Sequence, residues 1–133
     1  MADIKIEFCI IGEDFLPDEI TKMLNINPTE AYCINDVFMG GSEKNIPMKR
    51  KECCWCIETP YVETIDVTVE LNKIYNILKN KTNILKEIKN KFSVFCKFTI
   101  VIHFTDNPIL ILERDIIKFA AEIDAEFDFD TYI

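Results

Sequence analysis

The segment Cys53-Cys54-Trp55-Cys56 is the first place in this sequence where residue types and spacing suggest chemistry. A Cys-x-x-Cys pair in a turn can supply half of a zinc site or a redox couple. In a strand, alternation places Cys53 and Trp55 on one face and Cys54 and Cys56 on the other. We therefore interpret these cysteines as small apolar residues of a sheet and predict neither a metal nor a cofactor. A zinc site would have to recruit side chains from other strands, without support from spacing: Cys9, Cys33, Cys96 or His103.

Four acidic residues recur at every second position near the end of the sequence: Asp124, Glu126, Asp128 and Asp130. Calcium loops also space their first ligands by two residues, but the glycine required at the sixth place is missing here. Alternation with Phe127 and Phe129 indicates instead a strand with an apolar inner face and a solvated outer face, whose charges discourage edge-to-edge aggregation. A sharper alternative is a negative stripe that docks a basic protein partner.

His103 is the only histidine, and we predict it on the mixed face of a long strand together with Lys97 and Thr99. A Cys–His nucleophile pair would need a thiol beside it in space, which spacing does not indicate. The sequence also lacks the nucleophile elbow, the P-loop, the dinucleotide fingerprint and the zinc-protease helix motif. We assign no catalytic residue, and these absences favour a protein that is not an enzyme.

Size and composition limit the remaining possibilities. The 133 residues amount to 15.5 kDa, which fits one domain spanning residues 1–133, and the 49% hydrophobic content is enough for a core. The net charge of −8 disfavours nucleic acid and anionic membrane surfaces as partners. No apolar run approaches the roughly 20 residues of a membrane span, and no secretory signal is visible at the start. We therefore predict a cytoplasmic protein whose cysteines are thiols.

Hydrophobic periodicity predicts the elements that must position these residues. The predicted order is β-α-β-β-α-β-α-β, an α+β fold with helices on one face of a largely antiparallel sheet. We predict strands at 4–11, 31–38, 52–58, 92–104 and 124–130, and a short strand at 109–112. We predict helices at 17–24, 67–78 with Asp66 as its N-cap, from 82 onward, and at 114–122. The polar segment 40–52, which ends in a basic cluster, is the best candidate for disorder.

One set of short motifs resembles a known family. The motifs are FLPDEIT at 15–21, LNINPT at 24–29, the strand residue Trp55, and Asp128-x-Asp130-x-Tyr132 near the end. In order and spacing they resemble the bacterial family called domain of unknown function 4279, over nearly the full chain. The resemblance implies a small cytoplasmic α+β domain with no established activity and no catalytic residues to carry over.

Two functional hypotheses follow. In the first, the chain is a protein-binding module, of the kind represented by immunity proteins, that uses Asp124, Glu126, Asp128 and Asp130 against a basic partner. In the second, it is a small-ligand-binding or enzymatic domain with a pocket near Trp55 and His103, beside the 40–52 segment. Charge favours the first hypothesis.

Overall fold

The computed structural model describes residues 1–133. The chain forms eight strands and four helices, in the order β1 (Ala2–Gly12), α1 (Pro17–Leu24), β2 (Glu30–Tyr32), β3 (Val37–Gly40), β4 (Ile46–Lys49), β5 (Cys53–Glu58), β6 (Val62–Thr64), α2 (Val67–Leu78), α3 (Thr82–Lys91), β7 (Val94–His103), α4 (Arg114–Glu122) and β8 (Glu126–Tyr132). The α+β fold that periodicity predicts is therefore confirmed. A membrane crossing would need a longer and more apolar helix than any of these four.

Strand β1 lies at the centre of a six-stranded sheet, as expected for the most regular alternation of apolar and polar residues in the sequence. It pairs antiparallel with β5 on one side and with β7 on the other, while β6 pairs with its first residues. Strand β2 lies outside β5, and β8 runs parallel to β7 at the opposite edge. Because α4 connects β7 to β8, these two strands have the crossover connection that parallel pairing requires.

The helices cover one face of this sheet and enclose the main core. Twenty-five buried residues form this core, and all four helices contribute to it. Strand β1 supplies Ile4, Ile6, Phe8 and Ile10, which are completely buried. The N-cap prediction for α2 is confirmed, because the Asp66 carboxylate accepts a hydrogen bond from the Thr68 N–H at 2.9 Å. The other face of the sheet carries no helix, and it contains the candidate site.

The main departures from prediction lie between β1 and α2. The predicted strand at 31–38 is broken by a turn, where Asn35 has a φ of +70° and the Asp36 carboxylate accepts from the Cys33 N–H. The segment 40–52 is ordered, since β3 and β4 form a hairpin there. The predicted strand at 109–112 is reduced to one bridge between Asp66 and Ile109. Strand β6 was not predicted, because its three residues are too few to show a hydrophobic period in the sequence.

Candidate functional site on the open sheet face

We call the sheet face opposite the helices the open face. The polar residues that alternate with the core residues along the strands project from it. Its strands carry eight carboxylates there, against the two lysines Lys5 and Lys97. The carboxylates are Asp3, Glu7, Glu30, Glu58, Glu63, Glu126, Asp128 and Asp130. Arg50, outside the strands, lies 3.6 Å from Glu30 Oε1. The helices pack against the opposite face, so no helix covers these side chains. The open face is therefore a broad acidic surface, and the terminal strand forms only part of it.

Three of the four predicted acidic residues lie together on this face. Glu126, Asp128 and Asp130 project from β8, the edge strand, while Asp124 occupies the turn before it with a φ of +53°. Lys97 Nζ lies 3.7 Å from Asp128 Oδ2, and Lys89 Nζ lies 3.6 Å from Asp124 Oδ2. Both ion pairs are longer than a hydrogen bond and highly exposed on the acid side, so they neutralise the stripe only weakly.

The structure does not bring Trp55 and His103 together, contrary to the pocket that the second hypothesis requires. Trp55 is completely buried on the helix side, where its indole N–H donates to Thr21 Oγ1 at 3.0 Å. His103 lies on the open face and stacks on Tyr132, with ring centroids 4.7 Å apart. The Tyr132 hydroxyl in turn lies 3.1 Å from that of Tyr61, and this hydrogen bond raises the pKa of Tyr61 to about 12. Trp55 is a core residue, and the two side chains share no cavity.

A concavity of about 560 Å³ lies near that end of the sheet, in the loop that follows β7. It is lined by Phe104, Thr105, Asp106, Asn107 and Ile133. The lining contains no thiol and no histidine, so it offers neither a nucleophile nor a general base of the kinds considered from the sequence.

Three thiols cluster on the open face: Cys9, Cys54 and Cys56. Alternation in β5 separates Cys54 and Cys56 from Cys53 and Trp55, which belong to the main core, as predicted, although all four side chains are buried. The strand pairing then places Cys9 directly opposite Cys56, with 2.7 Å between their sulfur atoms, although both are free thiols. Sequence reasoning missed this neighbour. The sequence did contain an indication of it: Cys9 lies two residues after Glu7 and four after Lys5 in β1, so all three side chains project from the polar side of that strand.

The thiols interact strongly with one another. Hydrogen bonds from Cys56 and Cys9 hold the pKa of Cys54 well below its ordinary value. Hydrogen bonding to Cys54 raises the pKa of both Cys56 and Cys9. The three sulfur atoms therefore form one hydrogen-bonded cluster in which the ionisation of each thiol depends on the other two.

The next pair along the same two strands consists of carboxylates. Glu7 lies opposite Glu58, and burial together with a hydrogen bond to Glu58 raises the pKa of Glu7. Lys5 Nζ lies 3.6 Å from Glu7 Oε1 and 3.9 Å from Glu58 Oε2. One donor atom from each of Glu7, Cys56 and Glu58 lies within 4.8 Å of the others. Sulfur and carboxylate oxygen thus occur side by side on the open face.

These features define a class of protein: a small α+β domain with helices on one face of its sheet and an exposed acidic face that bears thiols. A family model described as "Domain of unknown function (DUF4279)" matches residues 2–133, and the chain belongs to this family. The resemblance noted in the sequence is thereby confirmed. The comparison with curated proteins and the comparison with solved structures each found no significant match.

The motifs that carry the family resemblance have structural roles in this fold. Thr21, in the FLPDEIT motif, accepts the indole hydrogen bond of Trp55. Thr29, in the LNINPT motif, donates its N–H to the Cys56 carbonyl at 2.8 Å and accepts from the Glu58 N–H at 3.0 Å. These contacts fasten α1 and the chain after it to β5. They give Thr21, Thr29 and Trp55 structural roles that require no ligand.

Proposed function

We propose that this chain is a non-catalytic protein-binding domain whose acidic open face binds a basic partner. The observation that carries the proposal is the imbalance of eight carboxylates against two lysines on the strands of a sheet face that no helix covers. Neutralisation of a basic toxin, as immunity proteins achieve, is one role that such a surface would serve. The six free thiols fit a reducing compartment, and we accordingly place the protein in the cytoplasm.

Charge of one sign on one face favours rapid association with an oppositely charged partner. Such surfaces steer diffusional encounter and raise association rates by about 10 to 1,000-fold at low salt. Salt screens this attraction, because the Debye length falls from about 30 Å at 0.01 M to about 8 Å at 0.15 M. Salt dependence of the association rate is therefore the first property that the proposal requires.

The edge strand β8 offers a second element of recognition. No strand pairs with its outer side, so backbone N–H and C=O groups there are free to accept an added strand. Glu126, Asp128 and Asp130 discourage pairing with another copy of the same acidic strand, whereas they favour an extended segment that carries lysine or arginine. An extended basic segment is therefore the form of partner that this edge would recognise.

Affinity capture with the chain as bait, at low and at high salt, tests the proposal. The informative variant combines Glu126→Gln, Asp128→Asn and Asp130→Asn. Its matched control removes three exposed charges from the helical side: Glu87→Gln, Asp115→Asn and Glu122→Gln. We expect a basic partner that is released at high salt and that associates about tenfold or more slowly with the open-face variant, while the control and the thermal midpoint change little. A partner whose association rate ignores both salt and the open-face charges would refute the proposal.

The alternative of a ligand-binding or catalytic pocket near Trp55 and His103 is not advanced, because the two residues lie on opposite sides of the sheet.

A further inference from the structure

We propose that two adjacent cross-strand pairs on the open face, Glu7 with Glu58 and Cys9 with Cys56, form a binding site for Zn²⁺ or a similar thiophilic divalent cation. The site shares Glu7 and Glu58 with the acidic open face, but its thiols lie in β1 and β5 and it does not involve the edge strand β8, so metal binding can be measured without a partner. The four side chains are called here the Cys₂Glu₂ quartet.

The strand register gives the quartet its shape. The Thr59 N–H donates to the Ile6 carbonyl at 2.9 Å, which makes these two residues a hydrogen-bonded pair of the antiparallel ladder. Hydrogen-bonded and non-hydrogen-bonded pairs alternate, so both pairs of the quartet are non-hydrogen-bonded, the arrangement in which opposite Cα atoms are only about 4.5 Å apart. The pairs are two residues apart, so they project from the same face about 7 Å from one another. Four donor side chains thus stand at the corners of one small rectangle.

Three of the four donor atoms already lie close to one another, and the fourth, the sulfur of Cys9, contacts the sulfur of Cys56. Zinc–ligand distances of about 2.0–2.3 Å require donors roughly 3.3–3.8 Å apart. The sulfur atoms of Cys9 and Cys56 are 2.7 Å apart, and the donors of Glu7, Cys56 and Glu58 lie within 4.8 Å of one another. Rotation of these side chains toward a common centre, with Cys9 directly opposite Cys56, would accommodate the ion without a change in strand register.

The electrostatics of the quartet favour a cation. Glu7 and Glu58 face each other directly, an arrangement of like charges that destabilises a sheet. Lys5 offsets the repulsion between the two carboxylates only partly, because its amine lies 3.6 Å from Glu7 Oε1 and 3.9 Å from Glu58 Oε2, beyond hydrogen-bonding distance. Cys56 is 3% exposed, whereas Cys9 and Glu7 are half-buried and leave access from solvent. Two thiolates select zinc over the hard cations Mg²⁺ and Ca²⁺, which prefer oxygen.

The experiment uses the full chain, reduced and stripped of metal. Zn²⁺ is titrated in competition with a chromogenic chelator, and Co²⁺ serves as a spectroscopic probe, because thiolate-to-cobalt charge transfer reports sulfur ligands and visible d–d bands report tetrahedral geometry. The variants are Cys56→Ser, which removes a sulfur, and Glu7→Gln, which removes a carboxylate and keeps its shape. Cys33→Ser is the matched thiol control, because Cys33 lies in the loop between β2 and β3. Circular dichroism establishes that each variant is folded.

We expect one equivalent of Zn²⁺ and a tetrahedral cobalt spectrum with charge-transfer intensity. Cys56→Ser should weaken binding at least 100-fold and Glu7→Gln about 10 to 100-fold, since even changes outside the ligand shell typically reach that range. Cys33→Ser should leave affinity unchanged. Absence of zinc binding by the reduced chain, or binding that Cys56→Ser does not weaken, would overturn the proposal. So would a cobalt spectrum without thiolate charge transfer, or a Cys9–Cys56 disulfide that persists under a phosphine reductant and leaves no thiol pair to bind metal.

Discussion

The hydrogen bond between Trp55 and Thr21 makes a quantitative prediction about what holds α1 to the sheet. Thr21→Val preserves the shape of the side chain and removes the acceptor of the indole N–H, which donates to Thr21 Oγ1 at 3.0 Å. Trp55 is completely buried, so no water can replace the lost acceptor without a rearrangement of the core. A buried donor without a partner costs about 1–3 kcal/mol, and valine and threonine have similar helix propensities. We expect Thr21→Val to destabilise the protein by about 1–2 kcal/mol.

A double-mutant cycle separates this hydrogen bond from other effects of the substitution. The Thr21 hydroxyl also lies 3.3 Å from the Pro17 carbonyl, a contact that Thr21→Val removes as well. In a Trp55→Phe background the indole donor is absent, so Thr21→Val should then cost only the contact with Pro17. The difference between the two backgrounds is the coupling energy, which we expect to be about 1 kcal/mol or more. Thr21→Ser, which keeps the hydroxyl, serves as the conservative control.

Urea unfolding followed by circular dichroism measures all variants on one scale. In the proteins that retain Trp55, the only tryptophan, fluorescence provides a second probe that must give the same transition if unfolding is two-state. A coupling energy of zero would refute the reasoning, because it would mean that the hydrogen bond from the Trp55 indole to Thr21 contributes nothing to the free energy of unfolding. Destabilisation by Thr21→Ser as large as that by Thr21→Val would contradict it too.

Two further substitutions test other close contacts by the same measurement. A Cβ at Gly12 would lie 2.6 Å from the Ser93 backbone carbonyl. Gly12→Ala should therefore destabilise the protein by about 1–3 kcal/mol. An unchanged stability would show that the backbone at Gly12 and the backbone at Ser93 move apart without cost. The Glu70 side chain is buried, and Lys73 Nζ lies 2.8 Å from one of its oxygens and 2.9 Å from the other. Lys73→Met should therefore cost about 1–3 kcal/mol and Lys73→Arg much less, whereas equal losses would indicate that the positive charge is not what matters.

Local periodicity was sufficient for most of the fold because most elements bury one regular face. In β1 the apolar residues at every second position are the ones that lie in the core: Ile4, Ile6, Phe8 and Ile10. Three of the helices, α1, α2 and α4, begin and end at the predicted bounds, and α3 begins at the predicted residue. Proline and aspartate mark the starts of α1 and α2. Such signals are contained within about ten residues of sequence and need no knowledge of distant partners.

The hairpin of β3 and β4 shows what composition alone misses. The segment reads as disordered because it is polar and ends in basic residues. In the structure the Arg50 guanidinium lies 3.9 Å from the ring centroid of Tyr32 and 3.8 Å from that of Phe38, between two aromatic faces. This cation–π contact joins the end of the hairpin to its beginning and to β2. The residue that suggested disorder is thus one that orders the segment.

The candidate site depends on register, which is a property of two strands and is not contained in either sequence alone. Alternation in β5 predicts that Cys54, Cys56 and Glu58 share a face, but only the pairing with β1 adds Cys9 and Glu7. A shift of one residue would turn the thiols of β5 into the core. Trp55 prevents that shift, because its large side chain must remain on the helix side, where it meets Thr21. The same residues that carry the family resemblance therefore hold the thiols on the open face, so a variant that loosens Trp55 should disturb the Cys₂Glu₂ quartet as well.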